Sequence, residues 1–145
     1  MIAILDLKEQ AGNPKLLSPL TLAFVGDAVY ELMVRERLAA DGSMPANVLH
    51  HKAVKIVCAG AQAQGYLALE SILTEEELCI LKRGRNAHST KVPKNSSPSD
   101  YRRATGVEAL FGYLYLKGDL ERLTVLFNHM ETERGGVTHG EAESV

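Results

Sequence analysis

Two carboxylates stand in apolar helical surroundings in this sequence, and their placement points to metal chemistry. Asp27 lies within FVGDAV, residues 24–29, and Glu108 lies within VEALFG, residues 107–112. A charge in such a setting is costly unless it is paired or coordinates a cation. If the fold brings the two carboxylates together, they form the small oxygen-rich site that Mg²⁺ prefers.

Each carboxylate also has a purely structural explanation when it is considered alone. Gly26 costs about 1 kcal/mol in a helix interior relative to alanine, so its presence indicates a close approach by another helix or by a ligand. Asp27 then belongs to a tight helix crossing and hydrogen-bonds to a neighbour. Glu108 pairs with an arginine, such as Arg35 or Arg103. For the two carboxylates together, the structural and the metal-binding explanations both remain open.

Helical periodicity extends over nearly the whole chain, and no segment alternates like a strand. Ser18, followed by proline, predicts the start of a helix that runs to about Ala40. A second helix is expected to end at Gly65, followed by a short turn. The sequence therefore predicts an all-α fold of about six helices, the later ones over residues 45–64, 74–88, 100–117 and 120–130.

Length, composition and missing motifs narrow the function classes. The 145 residues are enough for one compact domain, and no apolar run is long enough for a membrane span. Cys58 and Cys79 belong to no Cys/His cluster, which favours buried reduced thiols over zinc ligands or a disulfide. The chain has no GxxxxGK[ST] loop and no GxSxG motif, so nucleotide hydrolysis and serine-esterase chemistry are not indicated.

Positive charge is concentrated in residues 82–103, although the whole chain carries −2. This segment holds seven lysines and arginines against one acid, Asp100, and it includes the loop sequence HSTKVPKNSSPS. The concentration of charge is a local feature of an otherwise acidic chain, which predicts a basic surface patch.

The segments around both carboxylates resemble those of the ribonuclease III family. FVGDAVYEL is similar to the family's signature helix, usually EFLGDAVL, and VEALFGYLYL is similar to its second motif, usually DxxEALIGAIYLD. KRGRN and YRRATGVEALFGYLYLKGD resemble the Mini-ribonuclease III subfamily, whose members consist of the nuclease domain alone. The resemblance covers about Leu17 to Met130, and the two motifs in this order and spacing are fairly specific.

The resemblance implies a ribonuclease III-like domain acting as a Mg²⁺-dependent, double-strand-specific endoribonuclease. Asp27 and Glu108 would be its catalytic and metal-binding residues. A homodimer would cut both strands of double-stranded RNA, and the subfamily points to precursor ribosomal RNA of the large subunit, in the cytoplasm. The catalytic domain is expected over residues 1–130 and a disordered acidic tail over 131–145, without a separate domain for binding double-stranded RNA.

The sequence departs from the family pattern at three places. The family carries a carboxylate four residues before the motif aspartate, where this chain has Ala23, and another three residues before the motif glutamate, where it has Thr105. No aspartate or glutamate occurs in residues 42–69. Asp27 and Glu108 therefore remain as a minimal pair.

The basic segment fits a duplex RNA substrate. Double-stranded RNA is recognised by shape, through phosphates and 2′-hydroxyls. The loop contains no aromatic residue, which argues against a single-strand binder based on base stacking. The alternative is that these are ordinary solvated surface residues. The candidate RNA-binding residues are Arg83, Arg85, Asn86, Lys91, Lys94 and Arg102.

Two other functions compete with the nuclease. The first is a non-catalytic RNA-binding or ribosome-assembly module on the same fold, which the missing family carboxylates favour. The second is a helical protein-interaction domain, which accounts for the apolar helices but not for the basic segment. Retention of both Asp27 and Glu108 favours the nuclease, because a binding module has no need of buried acids.

Overall fold

The computed structural model describes residues 12–87, 94 and 97–143, and this part of the chain is helical without any strand. The all-α prediction and the number of long helices are confirmed. None of the helices described is both long enough and apolar enough to cross a bilayer. A short 3₁₀ turn, Pro14–Leu16, precedes six helices: α1 Pro19–Ala40, α2 Ala46–Val57, α3 Ala59–Leu69, α4 Glu75–Asn86, α5 Pro98–Lys117 and α6 Leu120–Glu143.

Local capping residues set the helix ends that the sequence predicts correctly. The Ser18 hydroxyl accepts the backbone N–H of Thr21 at 3.1 Å and starts α1. At the start of α4, Thr74 and Glu77 form a reciprocal capping box, with hydrogen bonds of 2.9 and 3.2 Å. Gly118 ends α5 in the left-handed conformation, at φ 88°.

The prediction of one helix over residues 45–64 is wrong, because the chain breaks at Cys58. This residue adopts an extended conformation, with φ −64° and ψ 155°, and separates α2 from α3. Gly65 does not end a helix. A Cβ at this position would lie 2.1 Å from Cε of Met130, so the glycine permits α6 to pack closely on α3.

Both cysteines are exposed, which corrects the expectation of buried thiols. Cys58 stands at the corner between α2 and α3. Cys79 lies on the outer side of α4, whereas its neighbours Ile80 and Leu81 are buried. The sequence pattern misplaced the two thiols because cysteine is among the residues most often found inside proteins.

Helix α5 is the centre of the domain. Its residues from Ala104 to Leu114 are buried, except for the half-buried Glu108, and α1, α3 and α4 pack around it. Tyr30 from α1 meets Phe111 edge to face, with ring centroids 5.4 Å apart, and Phe127 from α6 at 5.7 Å. This packing fixes α1 relative to α5, and these two helices carry the candidate carboxylates.

A buried ion pair ties the start of α6 to α4. Nε and Nη2 of Arg122 each donate to a carboxylate oxygen of Glu77 at 2.8 Å, and Nη2 also donates to the Ile72 carbonyl at 2.9 Å. Burial on its own raises the pKa of the Glu77 carboxyl, but the hydrogen bonds from Arg122 and Thr74 outweigh it and lower the pKa. Arg122 and Glu77 are therefore both charged, and their hydrogen bonds hold the start of α6 against α4.

Helix α6 continues to Glu143, beyond the end near Met130 that the sequence predicts. Glu131, Glu133 and Arg134 are strong helix formers, which accounts for the first helical turn after Met130. The division into a catalytic domain over residues 1–130 and a tail stays a prediction.

Candidate functional site

The two carboxylates lie at a crossing where the backbones of α1 and α5 touch. A Cβ on Gly26 would stand 1.6 Å from the carbonyl oxygen of Glu108, and a Cβ on Gly112 would stand 2.0 Å from the carbonyl oxygen of Leu22. Only glycine permits this contact. The structural explanation of Gly26 is therefore correct, and the crossing also places the residue after it, Asp27, beside Glu108.

The carboxyl groups of Asp27 and Glu108 interact directly. Asp27 is exposed and Glu108 is half-buried. The pKa of Glu108 is raised to about 8, first by burial and then by the hydrogen bond and the negative charge of Asp27. Such a shift indicates two acids in contact that cannot easily be ionised together. A divalent cation between them would relieve the repulsion and hold both in the ionised form.

The arginine partners that a structural role would require are absent from Glu108. Arg35 lies 3.7 Å from Glu31, one turn away on its own helix. Arg103 interacts with Tyr66 instead. Thr105, one turn before Glu108, donates its hydroxyl to the Tyr101 carbonyl at 2.9 Å. The groups that influence Glu108 are instead Asp27 and one amide, that of Gln62.

Gln62 is a site residue that the sequence analysis missed. Its side chain on α3 is 3% exposed, and a hydrogen bond from it to Glu108 opposes the rise in pKa. Within the described residues, its Oε1 atom is the buried side-chain oxygen that lacks any hydrogen-bond partner. An unsatisfied acceptor of this kind costs about 1–3 kcal/mol. The signal in the sequence was a polar side chain among the small and apolar residues of α3.

Among the residues that the structure describes, the acidic cluster at the crossing consists of Asp27 and Glu108. No group of three or more histidine, cysteine, aspartate or glutamate side chains in the described ranges is arranged to hold a metal ion. The positions that differ from the family pattern confirm this, since Ala23 is buried and the hydroxyl of Thr105 is already bonded to the backbone. Any cation at this site would take its other ligands from water, substrate or an uncharged oxygen.

The structure brings part of the basic segment into one concave surface, here called the basic cleft. Its floor is the end of α4 and the start of α5, and it contains three of the predicted residues, Arg85, Asn86 and Arg102. The cleft also contains Arg103, which the prediction left out. The N-terminus of α5 opens into it, and its partial positive charge adds to that of the arginines.

Arg85 is held in place within the basic cleft. Its Nη1 donates to the buried hydroxyl of Tyr66 at 2.8 Å, and its Nε donates to Oδ1 of Asn86 at 3.1 Å. The guanidinium also stacks 5.8 Å from the centre of the Tyr66 ring. Two of its five N–H groups are used in these bonds, so a side remains for an external acceptor.

The remaining predicted residues lie elsewhere. Arg83 faces a different depression, which it shares with Lys15 and Glu76, and its Nη1 approaches the Lys15 carbonyl at 3.5 Å. Lys94 is exposed in the segment between α4 and α5. Lys91 lies outside the described residues. The basic segment is therefore divided between two surfaces, because Arg83 and Arg85 are two positions apart on α4 and point to different sides of the helix.

An apolar groove on the outer side of α1 borders Asp27. Phe24 is 81% exposed and Leu32 56% exposed, which is unusual for large apolar side chains on one helix. The groove continues to Tyr115 at the end of α5 and to Leu120 on α6, and Asp27 forms part of its wall. An exposed apolar surface of this kind is typical of a protein–protein contact.

Comparison with known families matches residues 20–119 to the family described as Ribonuclease III domain. Curated proteins called Mini-ribonuclease 3 are similar over most of the chain. The protein from Thermoanaerobacter sp. (strain X514) is 51% identical over 107 residues, which is 74% of this chain and 75% of that protein. The protein from Staphylococcus aureus is 43% identical over 126 residues, 86% of this chain and 94% of that protein.

A solved structure has the same fold. The crystal structure of a protein from Fusobacterium nucleatum superposes with a TM-score of 0.73 at 28% sequence identity. The match covers 83% of this chain and 96% of that one. The all-helical fold of this chain is therefore also found in a crystal structure.

Proposed function

Because the chain belongs to the ribonuclease III family, we propose that it is a Mg²⁺-dependent endoribonuclease that hydrolyses double-stranded RNA. The observation that carries this proposal is the contact between Asp27 and Glu108 at the crossing of α1 and α5. These are the only acids of the family motifs that this chain keeps, and the fold holds them side by side.

The residues at the crossing fit a divalent cation. Mg²⁺ is bound by oxygen atoms, commonly by one or two carboxylates together with water and substrate phosphate. Asp27 and Glu108 supply the two carboxylates, and the buried amide of Gln62 interacts with Glu108. When bound, the cation would lower the pKa of a coordinated water and offset negative charge on the scissile phosphate.

The fold of the protein fixes the positions of the two carboxylates. Glycines at the α1–α5 crossing fix the separation of the two carboxylates, and packing around α5 keeps them from moving apart. Asp27 is exposed and can face the RNA backbone, whereas Glu108 is half-buried behind it. Water attacks phosphorus and loses a proton, the phosphorus–oxygen bond to the neighbouring nucleotide breaks, and the departing oxygen takes up a proton, which leaves one phosphate end and one hydroxyl end.

The basic cleft is proposed to grip the RNA duplex beside this site. Arg85, Arg102 and Arg103 meet there at the N-terminus of α5, and Glu108 lies on the same helix. A cleft of this kind binds phosphates, and phosphate contacts orient a duplex without depending on its sequence. Arg83 and the lysines of the loop would contact the duplex further out.

The similarity to Mini-ribonuclease 3 proteins supports a more specific role in the cell. We assign the substrate to precursor ribosomal RNA of the large subunit, processed in the cytoplasm. This assignment rests on the subfamily resemblance, since the cleft recognises the shape of a duplex and not a particular sequence.

The apolar groove is proposed to hold a second copy of the chain. A duplex has two scissile strands, and a two-fold dimer presents two equivalent sites to them. The exposed Phe24 and Leu32 would be covered in such a dimer, and Asp27 would lie at the edge of the interface. The dimer would thus set the distance between the two cleavage sites.

The oligomeric state tests the dimer directly. Phe24→Glu places a charge in the groove and should convert a dimer to a monomer in sedimentation velocity measurements. Leu67→Glu is a matched control, because Leu67 is 53% exposed on α3 and lies outside the groove. This variant should stay dimeric. A monomeric wild type, or a Phe24→Glu variant that remains a dimer, would contradict this assignment.

The activity is tested with long duplex RNA and with a single-stranded RNA of the same sequence. The protein should cleave the duplex in Mg²⁺, leave the single strand intact and lose activity in EDTA. Binding of the duplex without cleavage would favour the non-catalytic module, and cleavage that persists in EDTA would exclude a metal-dependent site.

A further inference from the structure

The contact between Asp27 and Glu108 does not explain why the polar side chain of Gln62 is buried. Its side chain is buried at the centre of the domain, yet its carbonyl oxygen has no partner in the part of the chain that the structure describes. Buried acceptors are normally satisfied, and an exception calls for a cause such as a bound ion or a functional role. Gln64, two residues along the same helix, is exposed and poses no such question.

The orientation of the Gln62 amide is fixed by its surroundings. Nε2 donates to the Val57 carbonyl at 2.9 Å, in the last turn of α2, just before the break at Cys58. Rotating the amide by half a turn would place Oε1 against that carbonyl, which is repulsive. The nitrogen must therefore face Val57, and Oε1 must be the atom left without a partner.

The amide also interacts with Glu108 and lowers the pKa of that carboxyl, which favours the ionised form. Oε1 is bonded to the same carbon as Nε2, so it belongs to the surroundings of the carboxylate pair. Three oxygen-bearing side chains, from α1, α3 and α5, thus converge at the helix crossing. Uncharged carbonyl oxygens of this kind are ordinary ligands of hard divalent cations.

We propose that Gln62 is the third protein residue of the metal site, with its Oε1 atom serving as an oxygen donor to the cation held by Asp27 and Glu108. The proposal rests on the proposed function and extends it. It explains how a site without the other family carboxylates retains a cation, since a neutral oxygen adds a ligand without adding negative charge. It also explains why a buried acceptor is left open.

Metal binding without RNA tests the proposal independently of activity. Mn²⁺ takes the same oxygen ligands as Mg²⁺ and can be followed by the electron paramagnetic resonance signal of the free ion. Gln62→Leu removes both polar atoms with little change in volume and should weaken Mn²⁺ binding by roughly tenfold or more. Gln64→Leu makes the same change at an exposed position of α3 and should bind Mn²⁺ like the wild type.

Gln62→Glu separates an oxygen donor from a purely structural amide. It keeps an oxygen at the position of Oε1 but cannot donate to Val57 or Glu108. If Oε1 is a ligand of the cation, Gln62→Glu should bind Mn²⁺ more tightly than Gln62→Leu. If the amide serves only to donate hydrogen bonds, Gln62→Glu will bind Mn²⁺ no better than Gln62→Leu, and the proposal is overturned.

The outcomes also distinguish this proposal from the proposed function. Loss of Mn²⁺ binding in Asp27→Asn supports the cation site, and unchanged binding in that variant removes its basis. Normal binding in Gln62→Leu, together with loss in Asp27→Asn, would refute the role of Gln62 alone. Thermal unfolding confirms that each variant is folded, and Gln62→Met replaces Gln62→Leu if the latter does not fold.

Discussion

Gly26→Ala should force apart the two helices that carry the carboxylates. The added Cβ would lie 1.6 Å from the oxygen and 2.5 Å from the carbon of the Glu108 carbonyl, and 2.8 Å from the backbone nitrogen of Gly112. All three atoms belong to the backbone, so no side-chain rotation can relieve the clash. The helices must separate, and Asp27 moves away from Glu108 as they do.

The loss in the free energy of unfolding caused by Gly26→Ala follows from two opposing effects. Overpacking a core costs about 1–3 kcal/mol, and a clash with rigid backbone belongs at or above the upper end. Alanine at a helical position regains about 1 kcal/mol of intrinsic helix stability relative to glycine. The free energy of unfolding should therefore fall by at least about 2 kcal/mol.

Urea unfolding, followed by circular dichroism at a fixed protein concentration, measures this loss. Gly60→Ala is the matched control, because the nearest atom to its added Cβ is 3.9 Å away, and alanine there should be neutral or stabilising. Gly112→Ala should also destabilise, and the double variant should lose less than the sum, since one separation relieves both clashes. A Gly26→Ala protein as stable as the wild type would refute the argument from close packing.

Three further predictions follow from other parts of the structure. Glu77→Ala leaves Arg122 without its buried partner and should lower the free energy of unfolding by about 3 kcal/mol, measured in urea; an unchanged value would contradict the anchoring role. Because the pKa of Glu108 is raised to about 8 in the folded protein, this residue keeps its proton between the ordinary carboxyl pKa and about 8, whereas in the unfolded chain it has lost the proton in that range. Stability without divalent cations should therefore fall as pH rises through this range. Glu108→Gln should remove that pH dependence. An identical pH profile of stability in the variant would show that a group other than Glu108 causes it. Arg102→Ala in the basic cleft should weaken duplex binding and reduce the slope of log affinity against log salt by about one; an unchanged slope would show that this arginine contacts no phosphate.

The sequence predicts those features of the fold that depend on neighbouring residues. Ser18, Thr74 and Gly118 act through hydrogen bonds and backbone conformation within one turn of their own helix, so the pattern of residues was enough to place these ends. The break at Cys58 was missed because neither glycine nor proline occupies this position or its two neighbours, and the carbonyl of Val57 that the break leaves open is bonded by the side chain of Gln62 from the next helix. Gly65 was misassigned because its reason lies in α6, far along the chain.

The candidate site was predictable to a similar degree. Asp27 and Glu108 could be singled out from the sequence because each is a charge in an apolar helical run, and the resemblance to the family motifs favoured the metal-binding explanation for the pair. Gln62 could not be added, because its burial and its open acceptor exist only after α3 packs on α5. Arg103 was considered only as a possible partner of Glu108, whereas the fold places it in the basic cleft.

The claim that Asp27 and Glu108 act as one metal-binding unit is tested most directly by cleavage rates of a duplex RNA in Mg²⁺. Asp27→Asn, Glu108→Gln and the double variant should each lose at least about a thousandfold in rate, and the double variant should lose no more than the singles, because residues that act together are not additive. Asp41→Asn alters an exposed acid just after the end of α1, outside the apolar groove, and this variant should cleave like the wild type. Full Mg²⁺-dependent cleavage by either single variant would contradict the account.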